Sequence, residues 1–438
     1  MGPSPPGAPS AASIDLIGAI ALGVGGMMGA GLYTLLGLAA RSAGVLLPLA
    51  FLVAGLAASF SVYSYARLGT TFPSRGGGAH FLLAMLGETR LCAALNIFQY
   101  ASYLIATALY GAGFSEYVGA LTGGRLPAFT LRLIGAAVVA LFTMVNLIGA
   151  RLVDRAQKVI IASELVILAL LVGFGWFHAD PGRLIATPWP GGAGVVTGAG
   201  VLYVTFQGFG VVTNAAQEMR SPRTQLPRAL TWAVGLVLAI YLLVSLLVVA
   251  VLPLARIEQS AGHVLAVVGE VVLGRPGFLV IATAALLATA SAVNATLFAS
   301  ANIAADLAHN QQLPAWLGRP LGSTASLSLP VSAGLVAVLV LLFPLDAVGQ
   351  MTSLAFLITY GAISAAHLGV RGKTGARAWP LLLAVAINAA LFLNLLLHTI
   401  QTGPPATWIT FLAVLAASFG LAFLLRRSPS SSPPSSPP

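Results

Sequence analysis

Long apolar runs, joined by short polar segments, dominate this sequence and restrict its fold. Each run holds about 20 residues, the length that an α-helix needs to cross the hydrocarbon core of a bilayer. The apolar residues are continuous rather than alternating, which argues against transmembrane β-strands. Hydrophobic residues make up 58% of the chain and charged residues 7%, whereas soluble domains carry about 25% charged residues. We therefore predict an all-α polytopic membrane protein.

We expect twelve of these runs to be transmembrane helices. They cover residues 14–38, 43–66, 91–118, 127–149, 156–177, 194–216, 227–253, 277–305, 328–345, 348–370, 378–398 and 405–425. Threading them alternately through a membrane places fifteen of the 21 Lys and Arg residues on one side. The positive-inside rule assigns that side, with both chain ends, to the cytoplasm. The net charge of +10 is thus a topology signal, and no nucleic-acid partner is expected.

The chain is expected to have four parts. Residues 1–13 and 428–438 are rich in Pro and Ser and should be disordered tails. Residues 14–370 hold ten of the predicted helices, and residues 371–427 hold two peripheral ones. The single cysteine, Cys92, excludes an intramolecular disulfide. The sequence shows no clustered metal ligands, no Walker motif and no catalytic constellation, so neither a metal, a cofactor nor an enzyme activity is predicted.

Two glycine-rich segments interrupt the apolar runs. Residues 23–37 read GVGGMMGAGLYTLLG, with six glycines inside the first run, although each glycine weakens a helix by about 1 kcal/mol relative to alanine. Residues 204–213, VTFQGFGVVT, interrupt the sixth run. The two interruptions are five runs apart, as they would be at the start of two inverted five-helix repeats. Discontinuous helices in corresponding positions indicate a secondary transporter with a binding site near the membrane midplane.

A helix that is broken inside the membrane exposes both of its inner ends. The amide end carries partial positive charge and binds anions, and the carbonyl end binds cations. Glycine permits the unusual backbone angles and leaves no side chain between the backbone and a ligand. The pattern suits the carboxylate and ammonium groups of an amino acid. The alternative is that the GxxxG of Gly25 and Gly29 merely lets two helices approach closely.

Three segments resemble the amino acid–polyamine–organocation (APC) transporter superfamily. LGVGGMMGAGLYTLLG (22–37) is similar to its first-helix signature, and YVTFQGFGVVTNAAQEMRSPRTQLPRAL (203–230) to its sixth helix and the loop that follows. SRGGGAHFL (74–82) is similar to the loop that leads to its third helix. The resemblance covers about residues 14–425 and implies an alternating-access transporter with ten core helices, of which the first and sixth are discontinuous, plus two peripheral helices.

The resemblance also implies which residues bind the substrate. The amides of Gly29, Ala30 and Gly31 would bind the carboxylate. Either of two aromatic residues in the second interruption would close over the substrate, unless both are ordinary core residues. Side chains of the third and eighth helices would line the rest of the pocket. The remaining members of the implied substrate-binding set are Met27, Met28, Val204, Phe206, Gln207, Gly208, Phe209, Gln99, Tyr103, Ser291 and Asn294, with the carbonyl groups of Met27, Met28, Val204, Phe206 and Gln207 on the ammonium.

Two positions depart from the superfamily pattern. Ala30 stands where a serine is common, which removes a hydroxyl donor to the carboxylate. Gly210 stands where many members have an acidic residue. Both changes make the pocket less polar and argue against a dicarboxylate or a strongly cationic substrate.

Glu164 is the only charged residue that falls well inside a predicted run. Acidic residues within a membrane are costly and are functional candidates by default. Some superfamily members have a lysine near this position. Glu164 is therefore predicted to carry a coupling proton, or to neutralise a sodium ion near Gly25, Met28 and Ser291. The alternatives are a permanently protonated, hydrogen-bonded packing residue, or a span whose true boundary leaves Glu164 near its end.

The sequence thus predicts a secondary active transporter for amino acids, proton-coupled or exchanging, in a bacterial inner membrane. Its expected partners are an amino acid substrate, H⁺ or Na⁺, and the lipid bilayer, and it would be a monomer or homodimer. The alternatives are an amine or polyamine transporter, which would leave the amides at residues 29–31 without an anionic partner, and a non-transporting membrane sensor. Glu218, Arg220 and Arg223 form either a cytoplasmic gate or a solvated loop.

Overall fold

The computed structural model describes residues 14–74, 76–148, 151–185, 191–321 and 325–425. The predicted tails, 1–13 and 428–438, lie outside these residues. Within the described chain, ten helices are long and apolar enough to cross a membrane, and three shorter apolar helices accompany them. The prediction of an all-α polytopic membrane protein is confirmed. The count of twelve spans and the inverted repeat stay predictions.

The first predicted run contains two helices rather than one. Asp15 begins the first of them, because its carboxylate accepts a hydrogen bond of 2.8 Å from the amide of Gly18. A short helix at Gly77, in the segment that resembles a loop, precedes the third run. The helices of this part are α1 (Leu16–Met27), α2 (Ala30–Ala43), α3 (Leu47–Thr71), α4 (Gly77–Leu86) and α5 (Arg90–Leu121).

The sixth predicted run is also divided. An α-helix becomes a 3₁₀-helix over Tyr203–Phe209 and returns to one α-turn. The helices of this part are α6 (Ala128–Ile148), α7 (Arg151–Gly175), α8 (Gly182–Ile185), α9 (Gly192–Leu202), α10 (Gly210–Asn214) and α11 (Pro222–Val251).

The eighth predicted run lies in a helix that starts earlier than expected. Helix α13 begins at Val264, and Gly274 interrupts it with φ 66° and ψ −159°, a conformation that glycine adopts far more readily than other residues. The predicted run, 277–305, corresponds to the segment after this kink. The remaining helices are α12 (Leu254–Gln259), α13 (Val264–His309), α14 (Ser328–Leu342), α15 (Leu345–Thr374), α16 (Ala378–Thr402) and α17 (Pro405–Leu425).

Few other elements join these helices. The described chain contains a two-stranded antiparallel sheet of β1 (Pro320–Leu321) and β2 (Ala325–Ser326), with Pro320 opposite Ser326. Further 3₁₀ turns cover Gly44–Leu46, Trp176–His178, Ala216–Glu218 and Ala315–Gly318.

Helix packing brings the two divided runs together. Helix α1 packs against α11 and against the 3₁₀ segment of the sixth run, while α2 packs against α9. Helix α5 lies along α13, and α3 lies along α11. Helix α16 packs on α15, and α17 packs on α5. The two interruptions therefore face each other among the long helices.

Candidate functional site

The first interruption lies between Met27 and Ala30. Met28 has φ −79° and ψ 70°, and Gly29 is extended with φ −120° and ψ −151°. Gly29 is the N-cap of α2 but has no side chain with which to cap it. The amides in the first turn of α2 are thus free of a capping side chain, and this is the positive end of the helix dipole. The structure places Gly29, Ala30 and Gly31 together at this end.

The second interruption is a 3₁₀-helix of seven residues, Tyr203–Phe209. A stretch of 3₁₀-helix inside an α-helix is narrower and often marks a functional hinge. It contains five residues of the implied substrate-binding set, namely Val204, Phe206, Gln207, Gly208 and Phe209. The α-helical geometry returns at Gly210. Unlike the first interruption, it contains no extended residue, so the two breaks differ in form.

The two interruptions touch through their glycines. A β-carbon on Gly208 would overlap the carbonyl group of Gly26, and one on Gly26 would lie 2.7 Å from the carbonyl oxygen of Gly208. A β-carbon on Gly31 would lie 3.2 Å from the Cα atom of Thr205. Only glycine permits such backbone-to-backbone contact. These three glycines therefore pack two backbones closely, and the helix is interrupted beside them. The packing alternative raised by the sequence concerned Gly25 and Gly29, and only Gly25 is closely packed.

Gly29 differs from its neighbours because no close packing explains it. A β-carbon at this position would lie 4.0 Å from the β-carbon of Ala292 in α13, which is ordinary van der Waals contact. By contrast, a β-carbon on Gly25 would lie 2.6 Å from Ile161 of α7. The absence of a side chain at Gly29 leaves room beside the amides of Ala30 and Gly31, whereas the Gly29 amide itself donates to the Met27 carbonyl at 3.0 Å.

Two tyrosines hold the carbonyl groups of the interruptions. The hydroxyl group of Tyr241 donates to the Met27 carbonyl at 2.8 Å and lies 3.3 Å from the Thr205 carbonyl. The hydroxyl group of Tyr360 donates to the Gln207 carbonyl at 2.9 Å. Two of the carbonyl groups predicted to bind an ammonium group thus already accept hydrogen bonds. A substrate ammonium group would share these acceptors with the hydroxyl groups or displace them.

The two aromatic residues of the second interruption are fully buried and face different neighbours. The ring of Phe206 lies 5.3 Å from that of Tyr241. The ring of Phe209 lies 5.0 Å from Tyr65 and 4.9 Å from Tyr360. Both rings are packed beside the interruptions, and their role as lids on a substrate stays a prediction.

The candidates on α5 lie beside an aromatic cluster. The ring of Tyr103 is 5.6 Å from that of Phe356. Gln99 approaches α4, because a β-carbon on Gly78 would lie 2.8 Å from its side-chain nitrogen. The Oε1 atom of Gln99 is buried and has no hydrogen-bond partner among the described residues. An unpaired buried acceptor is costly, so a donor from a ligand or from water would stabilise it.

The two candidates on α13, Ser291 and Asn294, have different neighbours. Asn294 is buried, and its Oδ1 atom accepts a hydrogen bond of 2.8 Å from Asn146 of α6. Its amide oxygen is therefore engaged across helices, as such side chains are in membranes. Ser291 is half-buried and adjacent in sequence to Ala292, the residue of α13 that approaches Gly29.

Glu164 lies on the face of α7 that meets α1. Ile161, which packs against Gly25, is three residues earlier and so shares this face. The side chain of Glu164 is only 3% exposed, and its Oε1 atom has no hydrogen-bond partner within the described chain. Tyr33 and Tyr241 are both within electrostatic range of it. A buried acid thus lies on the α7 face that meets α1, within electrostatic range of the tyrosine that joins the two interruptions.

The predicted sodium-like site near Gly25, Met28 and Ser291 would consist of carbonyl and hydroxyl oxygens. Ile161 covers Gly25 on its α7 side. The described residues hold no group of three His, Cys, Asp or Glu side chains arranged around a metal ion. The choice between a proton and a sodium ion stays open.

The loop after α10 closes one end of the interrupted helices. The carbonyl group of Glu218 accepts a hydrogen bond of 3.3 Å from the amide of Ile14, and Ile14 pairs with Met219 as a parallel bridge. The side chain of Gln217 donates to the carbonyl of Pro73 at 2.9 Å. The segment that the sequence presented as a gate or a solvated loop is therefore attached to the start of α1.

Sequence reasoning missed three tyrosines that the structure places at the site. Tyr241 and Tyr360 each stand alone in an apolar run, in LAIYLLV and LITYGAI. Tyr33 is fully buried, and its hydroxyl group has no hydrogen-bond partner in the part of the chain that is described. A buried tyrosine hydroxyl group usually needs a hydrogen-bond partner. A tyrosine inside an apolar run is therefore a signal in the sequence that would have identified these three residues as candidates.

Comparison with known proteins gives a consistent result. A family model described as amino acid permease matches residues 14–435. The chain is 26% identical to the inner membrane transport protein YbaT of Escherichia coli, across 95% of this chain and 96% of the relative. It is 23% identical to the methylthioribose transporter of Bacillus subtilis, across 93% and 91% of the two chains. It is also 23% identical to the vacuolar cationic amino acid transporter 4 of Arabidopsis thaliana, across 82% of this chain and 63% of the relative.

Proposed function

Because the chain belongs to the amino acid permease family, we propose that it is a secondary active transporter that moves amino acids by alternating access. Its family and relatives are transporters rather than enzymes, and it is a multi-pass membrane protein.

The observation that carries the proposal is the contact between the two interruptions at Gly26 and Gly208. Gly31 in the first turn of α2 also packs against Thr205 of the 3₁₀ segment, and this supports a site formed by groups of both interruptions. An amino acid presents a carboxylate and an ammonium group a few ångströms apart. The carboxylate would bind the amides at Gly29–Gly31, where the helix dipole is positive.

The ammonium group would bind the carbonyl groups of Met27 and Met28 together with those of Val204, Phe206 and Gln207. Two of these groups now accept tyrosine hydroxyl protons. Charged donors form stronger hydrogen bonds than neutral ones, so an ammonium group competes well for these acceptors. Tyr241 and Tyr360 would then reorient, and the two interruptions would respond to substrate together.

Coupling is assigned to Glu164. Its carboxyl group is buried beside α1 and has an unpaired oxygen among the described residues. A change in protonation would alter a full charge within electrostatic range of Tyr241, whose hydroxyl group lies at the carbonyl groups of both interruptions. In an apolar environment that change has a large effect on the relative stability of two conformations.

A family relative indicates a second class of substrate. The printed name of the Bacillus subtilis relative states that it transports methylthioribose, which has neither a carboxylate nor an ammonium group. A carrier of such a substrate would bind it through hydrogen bonds to the amide and carbonyl groups of the site, and the partial charges at the helix ends would have no charged group to bind.

The test is a binding screen on the purified protein. Thermal unfolding is measured with each of the twenty amino acids, with their decarboxylated amines and with methylthioribose, at two pH values. The proposal expects stabilisation by one or more amino acids and none by the matching amines. Stabilisation by amines alone would favour an amine transporter, and stabilisation by methylthioribose alone would remove the zwitterion site.

A further inference from the structure

A cavity of about 280 Å³ lies where α2 ends and α15 begins. Arg41 of α2, Asp346 and Gln350 of α15, and Thr407 of α17 line it. Arg41 is eleven residues beyond Ala30, which is about 16 Å along a helix. The cavity is therefore separate from the contact between the two interruptions, and the function proposed above does not use it.

An ion pair stands at the mouth of this cavity. Arg41 Nη1 lies 2.5 Å from Asp346 Oδ2, and the two side chains are 45% and 47% exposed. The other terminal nitrogen of Arg41 donates to the carbonyl of Glu258 at 3.4 Å. Glu116 of α5 is within electrostatic range of both partners. Ion pairs that are this exposed contribute little to stability, so a ligand can replace one partner by its own charge.

The wall of the cavity holds two unpaired polar atoms. Gln350 Oε1 and Thr407 Oγ1 are buried and have no hydrogen-bond partner among the described residues, and Thr407 is only 1% exposed. Thr402, another lining residue, differs because its hydroxyl group donates to the His398 carbonyl at 2.8 Å. Buried polar atoms without partners are rare in native proteins. The two atoms indicate that the cavity accommodates a polar molecule.

We propose that this cavity is a second amino acid site, which recognises the zwitterionic head group. The ligand carboxylate would take the place of Asp346 on Arg41, and the ligand ammonium group would take the place of Arg41 on Asp346. Gln350 Oε1 would accept from the ammonium group, and the Thr407 hydroxyl would donate to the carboxylate. This pairing satisfies both charges and both unpaired atoms at once.

Occupancy would have a mechanical consequence, which rests on the proposed transport function. The Arg41–Asp346 pair joins the end of α2 to the start of α15. A ligand inserted between them separates the two helices at this end. Since α2 carries the amides of the central site, its release would help that site to open toward the side on which the cavity lies.

The test uses the single native cysteine of the chain. In a Cys92→Ala background, Ser42→Cys places a thiol in the lining of the cavity. The modification rate by a charged methanethiosulfonate reagent is measured on purified protein with glycine, the smallest zwitterion. Glycine at ten times its Kd should slow modification about tenfold, because about one molecule in eleven is unoccupied. An equimolar mixture of acetate and methylammonium should not protect.

Matched variants locate the protection. Gln350→Leu combined with Thr407→Val should abolish it, whereas Thr402→Val should retain it because that hydroxyl group is already paired. The same measurement in a Gly208→Ala protein, whose central site is damaged, should still show protection. An unchanged modification rate in glycine, or protection that disappears with Gly208→Ala while the protein stays folded, would overturn the second site. If the protein with an intact Gly208 shows protection by glycine but binds no amino acid at its central site, only the transport proposal is contradicted.

Discussion

At the scale of single residues, the site depends on glycines, which have no side chain. Gly208 and Gly26 bring two backbones into contact, while Gly29 leaves the amides of α2 uncovered. The adjacent Glu164 is the opposite case, since a costly side chain is retained in a buried position. Both features reduce stability, and both concentrate where the two divided runs meet. Such local departures from stability are expected at functional sites.

Replacing Gly208 tests the contact between the interruptions. Gly208→Ala should destabilise the protein by about 1–3 kcal/mol, because the added methyl group overlaps the Gly26 carbonyl, and uptake into proteoliposomes should fall at least tenfold. The control is Gly235→Ala in α11, since a β-carbon there has no atom within 4 Å among the described residues. Equal effects of the two substitutions on unfolding and uptake would contradict the contact.

Replacing Glu164 tests the coupling. Glu164→Gln keeps the size of the side chain but cannot release a proton, so uptake driven by a pH gradient should lose its pH dependence while exchange of internal for external substrate continues. Ser163→Ala, on the exposed face of α7, is the control and should behave as the unmodified protein does. A pH profile of uptake that Glu164→Gln leaves unaltered would exclude the proton role.

At the scale of elements, the two interruptions differ in form and lie against each other. The first has an extended residue between two α-helices, and the second is a 3₁₀ segment. In the first, α2 begins with amides that have no capping side chain, and Tyr241 holds the Met27 carbonyl that precedes them. In the second, Tyr241 and Tyr360 hold the carbonyl groups of Thr205 and Gln207. In the proposed binding mode, the amides would take the carboxylate of an amino acid, and carbonyl groups from both interruptions would take its ammonium group.

Replacing Gly29 separates binding from folding. A β-carbon at this position lies 4.0 Å from its nearest neighbour, so Gly29→Ala should unfold within about 1 kcal/mol of the original protein. The added methyl group occupies space beside the α2 amides, and the Kd for the transported amino acid should rise at least tenfold. Calorimetric titration checks the affinity. An unchanged Kd would show that the carboxylate binds elsewhere.

The sequence predicted some elements better than others, for identifiable physical reasons. Long apolar runs define membrane helices, and the glycines at 23–31 predicted the first interruption. The 3₁₀ form of Tyr203–Phe209 was not predictable, because tertiary hydrogen bonds from Tyr241 and Tyr360 accompany it. Helix α4 was missed because its glycine-rich start resembles a loop. The part of α13 before Gly274 was not predicted, because Gly274 and Pro276, both helix-breaking residues, separate it from the run at 277–305.

The candidate site was predicted only in its local part. Backbone groups at Met27–Gly31 and Val204–Phe209 follow from the two motifs, and the structure brings these segments together. Which side chains face them depends on helix rotation, which the sequence does not determine. Asn294 is an example, since it pairs with Asn146, while the neighbouring Ala292 approaches Gly29.

At the scale of the whole molecule, contacts at the two ends of the bundle differ. At one end, Ile14 is attached to the loop at Glu218 and Met219. At the other, an exposed ion pair joins Arg41 to Asp346. Alternating access requires these ends to open in turn. The end at Ile14 is held by backbone hydrogen bonds, whereas the end at Arg41 is held by an ion pair that a charged ligand could replace. The two ends would therefore differ in their response to charged ligands.

The charge distribution predicts the orientation of the bundle. Both chain ends should lie in the cytoplasm, because the loops on that side carry most of the Lys and Arg residues. Fusions of alkaline phosphatase to either end should be inactive, and fusions of green fluorescent protein should fluoresce. Active phosphatase at the chain ends would reverse the assignment and place the Arg41–Asp346 pair in the cytoplasm.

The most direct test of the account is an experimental structure with the transported amino acid bound. We expect its carboxylate within hydrogen-bond distance of the amides at Gly29–Gly31, and its ammonium group on carbonyl oxygens of the Met27–Met28 and Val204–Gln207 segments. Residues 14–43 forming one unbroken helix, or the amino acid bound away from both interruptions, would contradict the account.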